Sequence, residues 1–98
     1  MPASREAASA VRLHPDDNVA TALVALAAGQ RVEAGVAVTL AAPIPRGHKF
    51  ALRRIEQGQP VVKYGHPIGR AAATIEPGQH VHVHNCLSQR AGGGPQEP

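Results

Sequence analysis

Ile44-Pro45-Arg46-Gly47-His48-Lys49-Phe50, Ile55-Glu56-Gln57-Gly58-Gln59-Pro60-Val61 and Ile75-Glu76-Pro77-Gly78-Gln79-His80-Val81 share one form: an aliphatic residue, two residues, glycine, two residues, an apolar residue. Each reads as a tight corner in which glycine takes a positive φ that other residues resist, while the flanking apolar residues return to one core. The corners are spaced 11 and then 20 residues apart, too unevenly for a solenoid. Outward from them the apolar period is two: Val36, Val38 and Leu40 alternate with Ala37 and Thr39, and Phe50 and Leu52 with Ala51 and Arg53. That alternation predicts half-buried strands, and a further strand begins at Pro60 and ends at Lys63-Tyr64-Gly65.

Upstream, Leu26-Ala27-Ala28-Gly29-Gln30-Arg31-Val32 has the corner form but follows strong helix formers. Val19, Leu23 and Leu26 fall on one helical face, Asp16, Asp17 and Asn18 stand where helix caps belong, and Gly29 stands at a helix stop. One helix over 19–28 is therefore expected, after a short strand at Val11-Arg12-Leu13. Residues 1–10 and 88–98 are small, polar or rich in breakers and read as flexible tails around one domain at 11–87. The expected fold class is mostly β with one helix.

Composition limits the rest. Ninety-eight residues hold one core, and Phe50 and Tyr64 are its only aromatics. Nine prolines and ten glycines argue against a helical bundle. The net charge of +3 is spread singly apart from Arg53-Arg54, and without stacking aromatics it excludes an ordinary nucleic-acid groove. A single cysteine, Cys86, forms no internal disulfide, and there is no apolar run for a secretory signal or a membrane span. A cytoplasmic protein is expected. Open sheet edges in so small a domain make it a candidate for homo-oligomer formation.

Six histidines are the compositional oddity, three of them in His80-Val81-His82-Val83-His84-Asn85. As a strand, this stretch sends Val81 and Val83 to the core and the imidazoles to the other face. Histidines at i and i+2 can share a divalent metal, with His48, His66 or an acid completing the set; a solvated face and acid–base work are the other readings. Lys63 and Tyr64 lie where a loop could hold a carboxylate, or else are a solvated lysine and a rim tyrosine. Asn85 either closes its own backbone or meets a ligand. Cys86 has no base oriented on it, and no phosphate loop, zinc-helix motif or nucleophile elbow is present. A self-sufficient enzyme is not expected.

Taken in order, the Ile44–Leu52 stretch, Gly58-Gln59-Pro60-Val61-Val62-Lys63-Tyr64-Gly65, Ile68-Gly69-Arg70-Ala71 and the Ile75–Asn85 stretch resemble the SAF domain of the altronate and galactarate dehydratase family. Leu13-His14-Pro15-Asp16-Asp17-Asn18-Val19-Ala20 resembles the family's opening. The resemblance implies a β-clip fold and a small subunit working beside a larger catalytic subunit, and the chain's length fits that form. It implies a hydro-lyase of the altronate dehydratase type that eliminates water from a sugar acid or related 2-hydroxy acid, a small-molecule carboxylate, and is inactive without its partner. Motif position makes His48, His82 and His84 the catalytic candidates, with His82 and His84 as metal ligands. Lys49, Lys63, Tyr64 and Asn85 become substrate contacts, while His80 and His14 are left as structural or solvated. The implied cofactor is a divalent ion, Fe²⁺ above all, held chiefly by the partner. The alternatives are the small subunit of a sulfolactate sulfo-lyase and a non-catalytic carbohydrate-binding module. No nucleic acid and no membrane are expected as partners.

Overall fold

The structure is a computed structural model, and it describes residues 8–88. It is mostly β: β1 (Ala10–Val11), β2 (Val19–Ala22), β3 (Arg31–Glu33), β4 (Ala37–Thr39), β5 (Lys49–Ala51), β6 (Pro60–Lys63), β7 (His66–Ala71), β8 (His80–Val81) and β9 (Cys86–Ser88). These form a four-stranded sheet in the order β1-β2-β5-β8, a hairpin β3-β4 and a three-stranded sheet β6-β7-β9. Every pairing is antiparallel. The expected tails fall mostly on residues outside those described; Ala10, placed in the N-terminal tail, is buried in β1.

The strands are short because the corner recurs four times, including at the stretch expected to end a helix. Leu26 bridges Ile44, and Ile55 bridges Ile75. The two corners of a pair dock reciprocally. Gly47 N–H donates to the Ala22 carbonyl and Ala22 N–H to that of His48, while Gly29 N–H donates to Leu40 and Leu40 N–H to Gln30. Gly58 and Gln59 hold Ala71 in the same way, and Gly78 and Gln79 hold Ala51. The corner glycines have φ from +83° to +88°, the value a turn of type II demands at its third residue.

This is the physical reason that no helix forms over 19–28. Residues Val19–Ala22 are hydrogen-bonded on both sides, to β1 and β5, and Leu23 N–H goes to the Ser9 carbonyl. A ten-residue alanine-rich helix is marginal in water, and its propensity is a weak preference that two ladders and a corner override. Leu23, expected on the buried helical face, is 44% exposed. Asp16 and Asp17 cap no helix. Asp17 is buried at 1% exposure and accepts hydrogen bonds from Tyr64 N–H at 3.1 Å and Gly65 N–H at 2.8 Å.

Where the length predicts one core, two small ones lie on opposite faces of the central sheet, because its short strands are covered on both sides by corners. Ala20, Ala22 and Phe50 face one, with Leu26, Leu40 and Ile44; Val19, Ala51 and Val81 face the other, with Ile55, Val61 and Ile75. Small side chains let the corners approach closely. Removing one aliphatic at a bridge, as in Ile75→Ala, costs about 2–5 kcal/mol through lost burial and the cavity left behind.

Hairpin β6-β7 is clasped along its length by the β1–β2 loop. The Asn18 side chain donates to the Pro60 carbonyl and accepts from Val62 N–H, while Asp17 holds the turn. Lys63 pairs with His66, so the loop is the two residues Tyr64 and Gly65, with φ of +62° and +75°. That is a primed hairpin turn, for which asparagine or glycine is the ordinary first residue, and a tyrosine there costs about 1–2 kcal/mol.

Candidate functional site

The register of β5 against β8 builds the site. Phe50 pairs with His80 and Lys49 with Val81, which brings His48 opposite His82 and diagonal to His80 on one sheet face. The rings of His48 and His82 stack at 4.4 Å between centroids, those of His48 and His80 at 5.0 Å, and those of His80 and His82 at 5.4 Å. His48 Nδ1 lies 2.9 Å from His80 Nε2, so one of these nitrogens donates a hydrogen bond to the other.

A change within the repeated corner places His48 there. In three corners the residue after glycine is Gln30, Gln59 or Gln79, whose carbonyl oxygen accepts the N–H of Ala27, Glu56 or Glu76 three residues earlier. In the fourth corner that earlier residue is Pro45, which has no N–H, and the glutamine position is His48. Its side chain has no turn to close and turns to the other imidazoles.

The chain departs from the expected strand after Val81. Residues 82–85 form a turn in which Asn85 N–H and Cys86 N–H both donate to the His82 carbonyl. The Asn85 amide donates to the His80 carbonyl and its oxygen accepts from His82 N–H, so its side chain closes the backbone and fixes the two histidines. Val83, expected in the core, is 81% exposed at the turn's tip. His84 is exposed, with its ring 5.5 Å from that of His80. A pocket of about 250 Å³ opens beside the cluster, lined by Ala41, Ala42, Gln79, His80, His84 and Asn85.

Desolvation holds His80 and His82 below the ordinary histidine pKa of 6.5, and repulsion from neighbouring histidines and from Lys49 adds to it. Both imidazoles are thereby kept neutral and able to ligate at neutral pH. Burial pushes the Cys86 thiol above its usual 9.0, only partly offset by Lys49, which suits a packing residue.

His48, His80 and His82 each offer one nitrogen, and the three nitrogens lie within 4.8 Å of one another. The 2.9 Å between His48 Nδ1 and His80 Nε2 is a hydrogen bond, so a metal held by both rings would replace its proton and turn both lone pairs towards one point, at bonds of about 2.1 Å. The donor set therefore fits a borderline divalent ion such as Fe²⁺ or Zn²⁺, with further positions left for other ligands.

Of the residues singled out in the sequence, His48 and His82 belong to this face; Lys49 lies on the opposite face of β5 and is felt there through its charge, and the Asn85 side chain supports the cluster by holding its backbone. His84 lies at the rim; the third member of the set is His80, which motif position left as structural. The signal for His80 was its place two residues before His82. Lys63 and Tyr64 sit at the β6–β7 turn, about 16 Å along β7 from the ladder position of Cys86. His14, packed against Gly65, and His66 belong to that same end.

A corner-built β domain presenting a histidine cluster matches a known class. The model of the altronate/galactarate dehydratase SAF domain matches residues 8–89, and the chain belongs to that family. It is 51% identical over 76 residues to the altronate dehydratase of Escherichia coli (strain K12), and 45% identical over 78 residues to that of Bacillus subtilis (strain 168). Those matches cover 76% and 79% of this chain but 15% and 16% of the two relatives, so the chain spans about one sixth of their length. It is also 45% identical over 53 residues to the (2R)-sulfolactate sulfo-lyase subunit alpha of Paracoccus pantotrophus, covering 54% of this chain and 79% of that subunit. No helix among the described residues is long and apolar enough to cross a membrane.

Proposed function

We propose that this domain is the small subunit of a two-chain hydro-lyase, supplying an imidazole cluster to a site completed by a larger catalytic chain. The observation that carries the reading is the His48–His80–His82 set, held open on one side by a locked turn. The likeness to altronate dehydratases supplies the reaction class, and the likeness to a named alpha subunit supports a separate small chain. The substrate is a sugar acid or related 2-hydroxy acid.

Loss of water from such an acid removes the proton α to the carboxylate and expels the β-hydroxyl, leaving an enol that becomes a 2-keto acid. That proton is weakly acidic, so the carbanion needs charge stabilisation, which a divalent ion supplies when bound. His48, His80 and His82 would hold that ion. Lys49, on the opposite face of β5, adds positive charge at longer range, and His84, outside the three-histidine set and lining the pocket, is the imidazole free to carry a proton. Asn85 keeps these rings in register.

The likeness to the sulfo-lyase subunit favours a second reading, elimination of sulfite from a sulfo-acid on the same site. The test is isolation of the complex through a tag on this chain, metal analysis, and assay of 2-keto acid release from hexonates and of sulfite release from sulfolactate, with H48A and H82A alongside. Activity and metal lost together in the variants support the proposal. A chain that is metal-free and inactive in every complex points to a non-catalytic carbohydrate-binding module.

A further inference from the structure

Tyr64 is a costly residue in its place. It is 58% exposed, contributes little to either core, and takes a left-handed backbone conformation that glycine or asparagine would adopt freely. The protein nevertheless fixes it firmly. The buried Asp17 carboxylate accepts from both loop N–H groups, Asn18 clasps the strand below, and His14 packs where a side chain on Gly65 would lie. Lys63 Nζ sits 4.9 Å from the Tyr64 ring centroid, close enough for a cation–π contact. A strained residue held this firmly, doing nothing for its own fold, calls for a functional explanation.

The imidazole site does not supply one. The tip is about 16 Å along β7 from that site's end of the hairpin, and neither Lys63 nor Tyr64 lines the pocket beside it. We infer that the β6–β7 tip is the anchor by which the domain seats on the larger catalytic chain, Tyr64 filling an apolar recess there and Lys63 meeting a carboxylate at its rim. This rests on the two-chain reading above. The occupant follows from proportion: in the altronate dehydratases the matched segment is 15–16% of the polypeptide, so there the equivalent domain adjoins a much larger body of protein. A rigid, pre-ordered tyrosine is the kind of residue on which an interface concentrates its affinity, because little freedom is lost when it is covered.

The test uses the large chain recovered on the tagged protein and matched by mass spectrometry to the rest of an altronate dehydratase. Y64N installs a residue the turn prefers, so its urea midpoint should equal or exceed that of the wild type. Its affinity for the large chain should fall at least tenfold, chiefly through faster dissociation, while Y64F stays within about threefold. Equal affinity of Y64N and wild type overturns the anchor and leaves the two-chain reading intact. A wild-type chain that retains no large chain overturns both. A dimer of this chain alone that Y64N dissolves assigns the tip to self-association and overturns the anchor.

Discussion

Pro45 and His48 occupy one corner as a matched pair: where the sister corners place an N–H and a glutamine to accept it, this corner has a residue with no N–H and an imidazole that leaves the turn. The glutamine bond is worth about 1 kcal/mol net, and where it cannot form the position is released for another use. The double variant P45E/H48Q should rebuild the ordinary corner. Thermal unfolding should be unchanged or slightly raised, while affinity for Co²⁺ or Zn²⁺, read by absorption or calorimetry, should fall about 100-fold with one of three ligands gone. Retained metal affinity would exclude His48 from the set.

Acid should loosen the domain in a defined direction. In the metal-free protein His80 and His82 resist protonation, so below the ordinary value of 6.5 the unfolded chain takes up protons that the folded chain refuses. Stability holds above that pH and declines as pH drops through it towards the lower folded values. Urea unfolding between pH 8 and 5 in a chelator should show the decline, and H80N should flatten it. A wild-type profile level across that range would mean that neither desolvation nor repulsion holds these rings below the ordinary value.

Asp17 should matter more than any exposed acid. D17A removes a buried carboxylate that satisfies two backbone N–H groups, and is expected to cost about 2–4 kcal/mol in urea unfolding. D17N, which keeps one acceptor, should lose about half as much. Replacing Glu33, which is exposed, should change stability by less than about 0.5 kcal/mol.

The corner glycines should separate by surroundings. All are left-handed, but a Cβ at Gly47 meets nothing within 4 Å, whereas at Gly78 it would collide with the Thr39 carbonyl. G47A should cost about 1–2 kcal/mol from backbone strain alone. G78A must also push the β3-β4 hairpin away, and should prevent a cooperative thermal transition.

Much of this was legible in the residues. Three corners, the strands at Phe50 and Pro60, and the absence of a bundle all follow from glycine spacing and a period of two. The helix over 19–28 was misread because Ala25, Ala27 and Ala28 carry helix propensity while the ladders on either side of Val19–Ala22 are long-range and leave no local mark. The imidazole set was half visible: alternation puts His80 and His82 on one face, but only the register of β5 against β8 brings His48 across from His82. His84 looked equivalent to them because nothing in sequence shows the chain leaving the sheet after Val81. Asp17 looked like a cap because its real donors lie 47 and 48 residues away.

His48 belongs to the first pair of interlocked corners, whereas His80 belongs to the last corner of the second pair and His82 directly follows it. The cluster thus joins distant stretches of the chain at the β5–β8 edge of the central sheet, whose strands β2 and β5 contribute to both cores. A ligand that grips His48 together with either of the others would bridge the ends of β5 and β8. Occupancy and stability are then linked: with a ligand bound, β8 would have to surrender it before peeling away from β5.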